Sequence, residues 1–220
     1  ARWRSESLGS IGPAQFIAAA EKSSLINRVT LVLLRKLLSD LRLWPEYMTA
    51  SFNLSARTLA SPDSMLQVVG LIQRSGIRPQ RLEFEVTETA LMIDFDAAQR
   101  SLHMLRDLGA RIALDDFGTG YSSLSHVHQL PLDKIKIDRK FVCDMIQNRK
   151  AASVVKTVID LCDNLGLVCV AEGVETQDQA DRLAAKGCTF AQGFLFGRAV
   201  PARDVTELIS RPGTQMAVRA

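Results

Sequence analysis

Arg111-Ile112-Ala113-Leu114-Asp115-Asp116-Phe117-Gly118-Thr119-Gly120-Tyr121-Ser122-Ser123 is the stretch that decides the reading of this chain. A short apolar run ends in two adjacent carboxylates, and a loop rich in glycine and hydroxyl groups follows at once. This is the pattern of a buried strand delivering a doubly anionic tip. Two neighbouring carboxylates repel, and desolvation makes the repulsion worse. A divalent cation between them is the simplest remedy. Gly118 and Gly120 let the backbone approach a ligand closely.

Outward from that strand, helices and strands alternate. Upstream, the spacing predicts helices over Pro13–Glu21, Leu25–Leu43, Pro62–Arg74 and Phe95–Leu108, the last ending near Gly109. Pro13 suits a first helical turn, and Ser61 suits an N-cap. In the Leu25–Leu43 helix the apolar stripe is Leu25, Val29, Val32, Leu33, Leu37 and Leu41, expected to face the core. Strands are expected at Thr49–Leu54, Arg81–Thr87, Arg111–Asp115, Asp133–Asp138, Val168–Ala171 and Thr189–Gln192. Further helices are expected at Lys150–Leu165, Thr176–Lys186 and Ala202–Ser210. Alternation of this kind implies an α/β fold with a parallel sheet. Six strands are too few to close an eight-stranded barrel but enough for most of one. Residues 1–210 read as one domain, and 211–220, with Pro212 and Gly213, as a loose tail.

Bulk composition excludes several classes. Apolar residues make up 47% and charged residues 23% of the 220, ordinary for a globular chain large enough to hold a core. A net charge of +3 creates no strong polyanion-binding field, so DNA is not an expected partner. No apolar run approaches the ~20 residues of a membrane span, and no signal-peptide pattern is present. Cys162, Cys169 and Cys188 lie in apolar stretches and read as buried thiols, which suits a reducing cytoplasm. The chain begins with Ala1 rather than Met and reads as a piece of something longer.

Each expected strand ends in or near a polar residue: Asn53, Glu85 with Glu88, Asp115 with Asp116, Lys136 with Asp138, Glu172 with Glu175, and Gln192. Any one alone is more often a cap or turn residue. In a parallel barrel all these ends converge on one face, where active sites lie. The set is rich in hard oxygen donors and has no His or Cys, which favours magnesium or manganese over zinc. Two metals bridged by Asp115 suit an in-line attack on a phosphodiester. Lys136 would hold a water or neutralise a phosphate, and Glu172 could accept a proton. His103, His126 and His128 sit outside this set. Lys134 and Lys136 point the same way by strand alternation, with Arg139 and Lys140 solvated. Phe194 and Phe196 follow at strand spacing; one stacks on a base or both pack in the core.

The motifs resemble a known family. Asn53-Leu54-Ser55, Glu85-Val86-Thr87-Glu88, the Asp115–Ser123 loop, Lys136-Ile137-Asp138-Arg139, Ala171-Glu172-Gly173-Val174-Glu175-Thr176 and Gln192-Gly193 together are similar to the EAL domain of bacterial cyclic-di-GMP phosphodiesterases, from Arg2-Trp3 to about Pro201. The resemblance implies a modified TIM-type (β/α)8 barrel, here without its first one or two strands. It implies hydrolysis of cyclic di-GMP to linear pGpG with two Mg²⁺ or Mn²⁺ ions. Asn53, Glu85, Asp115 and Asp116 would be metal ligands. Glu172, Lys136 and Gln192 would serve the attacking water, Glu172 as general base. Arg2 would contact a substrate phosphate, with Phe194 as a candidate for the base. Glu88 and Glu175 would anchor the 116–123 loop, through which such domains form homodimers. An upstream sensory or cyclase-like domain and a cytoplasmic location are expected.

The resemblance has one gap. The Glu-Ala-Leu tripeptide that names the family, whose glutamate is a metal ligand, is absent from these 220 residues. The other ligand positions are all kept, which favours an enzyme with the tripeptide upstream. A binding-only cyclic-di-GMP receptor is the alternative, and a purely dimerising domain a weaker third. These residues alone are expected to turn over poorly.

Overall fold

In the computed structural model, which describes residues 3–23, 25–118 and 127–210, local signals start the helices where the sequence predicts them. The Ser61 hydroxyl accepts the Ser64 N–H, and Pro62 opens the helix Pro62–Ser75. Asp94 likewise caps Phe95–Leu108 by accepting the Ala97 N–H at 3.0 Å. Arg2, residues 119–126 and the expected tail 211–220 lie outside the described residues. No described helix is long and apolar enough to cross a membrane.

The chain divides into two compact units. The first comprises Ala1–Phe84 and Ala90–Ala110. Strands Trp3–Ser5 (β1) and Gly9–Ile11 (β2) pair antiparallel, a hairpin the sequence reading does not anticipate because each strand has only three residues. Helices Pro13–Lys22 and Ile26–Leu43 follow, then strand Ala50–Asn53 (β3), the single turn Ala56–Leu59, Pro62–Ser75, the first half of strand Leu82–Thr87 (β4), whose residues from Glu85 on belong to the second unit, and Phe95–Leu108. Phe52 on β3 meets Phe84 on β4 edge-on, ring centroids 6.1 Å apart. Arg81 is buried without a carboxylate partner among its described contacts. It donates instead to the carbonyls of Trp44, Pro45 and Met48, just past the end of the helix Ile26–Leu43.

The expected stripe of the Ile26–Leu43 helix holds at Leu41, which is buried, but is otherwise shifted in phase, with Val29, Leu33 and Leu37 half-buried. Its buried row is Ile26, Thr30, Leu34, Leu38 and Leu41, while Leu25 and Val32 are 47% and 49% exposed. Apolar residues cover so much of this helix that spacing alone fits two phases. The buried one contains Thr30, whose hydroxyl meets that of Thr58 at 3.4 Å. Leu25, Val29 and Leu33 instead line an apolar groove of about 410 Å³ with Trp3 and Phe16.

The second unit comprises Glu85–Thr89 and Arg111–Ala220. It carries strands Arg111–Phe117 (β5), Lys134–Ile137 (β6), Val168–Ala171 (β7) and Phe190–Ala191 (β8), with helices Arg139–Asp144, Arg149–Leu165, Gln177–Ala185 and Ala202–Ser210. Strand order follows the chain, β3-β4-β5-β6-β7-β8, and the register is parallel at β5–β6, β6–β7 and β7–β8. A sequential parallel order with intervening helices is that of a TIM-type barrel, here with six of its eight strands. Ile112, Leu114, Ile135, Ile137, Val155 and Ala171 are buried in the apolar core of the second unit. As expected, Cys162, Cys169 and Cys188 are buried free thiols.

β5 runs two residues further than predicted. Its pairing with β6 is regular at Leu114↔Ile135, then shifts before Phe117↔Ile137. Asp115 and Asp116 therefore sit inside an irregular strand rather than at the head of a loop. Asp116 takes φ 55°, the one positive φ among the described residues other than glycine. Aspartate tolerates that region better than a branched residue would.

A candidate active site of carboxylates around Lys136

β6 alternates its side chains, and this puts Lys136 inside the second unit with 4% of its surface exposed. Its ammonium lies 3.0 Å from Glu85 Oε1, 3.1 Å from Asp115 Oδ1 and 2.5 Å from Glu172 Oε1. Acids from β4, from β5 and from the position following β7 thus converge on one cation carried by β6. Burial by itself would lower the Lys136 pKa, but Glu85, Glu172 and Asp115 outweigh it and push it above the ordinary lysine range. Lys136 stays an ammonium throughout the physiological range.

One ammonium does not satisfy all the acids. Burial pushes Glu172 up to about 7, against the pull of Lys136 and with added repulsion from Asp115 and Glu85. Burial, then the Asp115 charge and a hydrogen bond to Asp138, push Asp116 up to about 6. Carboxylate oxygens of Asp115, Asp116 and Glu172 come within 4.8 Å of one another, close enough to share one cation. These are hard oxygen donors.

Glu172 is held on several sides. Its backbone N–H donates to Ile137 O at 3.1 Å, extending the β6–β7 ladder by one bond. Gln192 Nε2 donates to Glu172 Oε1 at 2.5 Å. Gln192 is itself fixed by its N–H to Ala171 O at 2.8 Å and by its carbonyl, which accepts the Val174 N–H at 3.0 Å. The close approach of these segments requires Gly193, because a Cβ there would lie 2.1 Å from Val174 O.

The structure therefore brings together Glu85, Asp115, Asp116, Lys136, Glu172 and Gln192. Glu88 is buried at the first position of the short helix Glu88–Leu91. Glu175 pairs with Arg139 at 2.6 Å. Phe194 is exposed, with the Arg198 guanidinium 4.3 Å from its ring centroid, so it does not pack in the core. Asn53 ends β3 in the first unit and is exposed; its role as a ligand rests on the family resemblance alone. Two residues were undervalued in the sequence. Asp138 both caps the Arg139–Asp144 helix and bonds Asp116. Arg139 is exposed as expected, yet engaged. Their adjacency to Lys136 in one motif was the available signal.

With this geometry in hand, the comparisons with known proteins are specific. The family model described as EAL domain matches residues 1–199. The chain is 36% identical to the cyclic di-GMP phosphodiesterase NbdA of Pseudomonas aeruginosa, covering 94% of this chain and 27% of that one. It is 38% identical to the bifunctional diguanylate cyclase/cyclic di-GMP phosphodiesterase MucR of the same organism, covering 93% and 30%. Among solved structures, the PaMucR phosphodiesterase in complex with c-di-GMP superposes with a TM-score of 0.88 at 38% identity, over 93% of this chain and 84% of that chain. The manganese/cy-diGMP complex of Klebsiella pneumoniae BlrP1 gives 0.77 at 34% identity, over 89% and 49%. The chain spans less than a third of the length of these curated relatives.

Proposed function

Because the chain belongs to the EAL domain family, we propose that it hydrolyses cyclic di-GMP to linear pGpG using divalent metal ions. The observation that carries this reading is the set of four acids, Glu85, Asp115, Asp116 and Glu172, gathered about the single ammonium of Lys136. The raised Asp116 and Glu172 leave room for further positive charge, so the residues fit a metal. Asp115 and Asp116 would hold it, with Glu85 alongside, and all-oxygen donors suit Mg²⁺ or Mn²⁺. When bound, such ions polarise a phosphate oxygen and make water a better nucleophile at neutral pH.

The chain's own groups supply the rest. Lys136, permanently charged, keeps Glu172 in place and offsets negative charge near the phosphate. Glu172 accepts the proton of the attacking water. Its Oε1 is engaged by Lys136 and Gln192, which leaves Oε2 to take that proton. Gln192 prevents Glu172 from rotating away. The exposed ring of Phe194 offers a face for a guanine. The complexes of PaMucR with c-di-GMP and of BlrP1 with manganese and cy-diGMP support the choice of substrate and metal class.

The same reading makes the chain a cytoplasmic domain of a larger signalling protein, working as a homodimer through the 116–123 region. It also predicts that these 220 residues alone turn over poorly, since they lack the Glu-Ala-Leu glutamate. The test is incubation of cyclic di-GMP with the chain, alone and joined to an upstream segment carrying that tripeptide, with and without Mn²⁺ or Mg²⁺. Chromatography should show metal-dependent pGpG from the joined form. Bound but intact dinucleotide would make the domain a receptor instead.

A further inference from the structure

We propose that Arg139 is a positioning residue that holds Glu172 in place by strapping the turn Glu172–Glu175. The inference rests on the reading of Glu172 as proton acceptor.

Gly173 follows Glu172 and takes φ +68°. A Cβ at Gly173 would lie 2.1 Å from Arg139 Cγ and 2.7 Å from its Cβ and Cδ. The stem of Arg139 therefore lies directly on the Gly173 backbone. Two residues further on, Arg139 Nη2 donates to Glu175 Oε1 at 2.6 Å. Stem on 173 and head on 175, the side chain spans the turn. The opposite side of the turn is held by backbone bonds, Val174 N–H to Gln192 O and Leu195 N–H to Val174 O, both at 3.0 Å. Its exit is fixed by Gln179 Oε1, which accepts the N–H groups of Glu175 and Thr176 at 2.7 and 3.0 Å. Glu172 is thus the first residue of a turn held on several sides, and the Arg139 side chain lies across it. The Arg139–Glu175 pair is largely exposed, with side chains 58% and 38% accessible. Exposed pairs add little to stability. What this pair supplies is geometry.

The test uses the metal-loaded protein with its upstream tripeptide and three variants, R139E, E175R and the double swap. Glutamate at 139 keeps the Cβ and Cγ that lie on Gly173 and reverses only the charge. Misplacement of a catalytic group by about 1 Å can cost roughly 10²-fold. Each single variant should therefore lose at least about tenfold in kcat with KM and thermal midpoint unchanged. The double swap should recover most of the loss. Should the swap fold poorly, R139K, which keeps stem and charge, should retain kcat where R139A loses it. Wild-type turnover with unchanged kcat in the single variants would overturn this inference and leave the proposed function standing. A wild type that binds cyclic di-GMP without cleaving it would remove both.

Discussion

Lys136 and Glu85 form a buried ion pair, Nζ to Oε1 3.0 Å, with neither side chain more than a tenth exposed. Removing one partner of such a pair strands the other and costs about 3–5 kcal/mol. Lys136→Met, which keeps the apolar stem, should destabilise the metal-free protein by that order and stop turnover. Divalent cation should restore part of the stability, because it offsets the acids that Lys136 leaves behind. Denaturant unfolding with and without Mn²⁺ measures both effects. Equal stability of variant and wild type would show that the ammonium does not hold the cluster together.

Gly193→Ala places a methyl group 2.1 Å from Val174 O, against backbone rather than a movable side chain. The segments must part, and overpacking of this kind costs about 1–3 kcal/mol. Gln192 moves with them, so kcat should fall more than KM rises. Steady-state kinetics alongside thermal unfolding checks this, and wild-type kinetics in a destabilised variant would uncouple Gln192 from catalysis.

The raised acids give a pH dependence of definite sign. Asp116 at about 6 and Glu172 at about 7 hold protons more tightly folded than unfolded. Their contribution to stability is present below the unfolded value of ~4 and is lost as pH rises through about 6 and 7. The metal-free protein should therefore lose stability from these groups as pH rises from about 4 to about 7, between the unfolded value and the two folded ones. Mn²⁺ should raise the melting temperature more at the top of that window than at the bottom. A metal-induced rise that is the same at both ends would contradict the assignment of these two acids to the metal site.

Asp115→Asn should weaken divalent-cation affinity. Even outer partners of metal ligands are worth about 10–100-fold in affinity, so loss of a ligating charge should cost at least that. Titration of Mn²⁺ by calorimetry gives the number, and an unchanged affinity would place the cation elsewhere.

What the sequence revealed and what it hid have physical causes. Lys136 was legible because strand alternation puts it on the same face as Lys134 and amid acids from neighbouring strands. The helix start at Pro62 was legible because Ser61 caps through a local bond, and the helix from Phe95 was legible from its amphipathic spacing. The left-handed Asp116 was not, because the β5–β6 register shift between Leu114 and Phe117 that accompanies it depends on tertiary pairing. The phase of the Ile26–Leu43 helix was hidden because Thr30 becomes a buried position only once Thr58 is beside it. Gly173 and Gly193 look like ordinary turn glycines until Arg139 and Val174 are seen to occupy the space their side chains would need.

Glu172→Gln tests the central claim most directly, that the acids around Lys136 perform hydrolysis with Glu172 as proton acceptor. Glutamine keeps the shape and can still accept from Lys136, but it cannot take a proton. Cyclic di-GMP affinity, by calorimetry with Ca²⁺ present, and single-turnover cleavage, with Mn²⁺, should be measured on the same preparation. The account predicts near-wild-type affinity with cleavage reduced about 10²–10⁴-fold. Cleavage at the wild-type rate, or loss of binding together with cleavage, would contradict it.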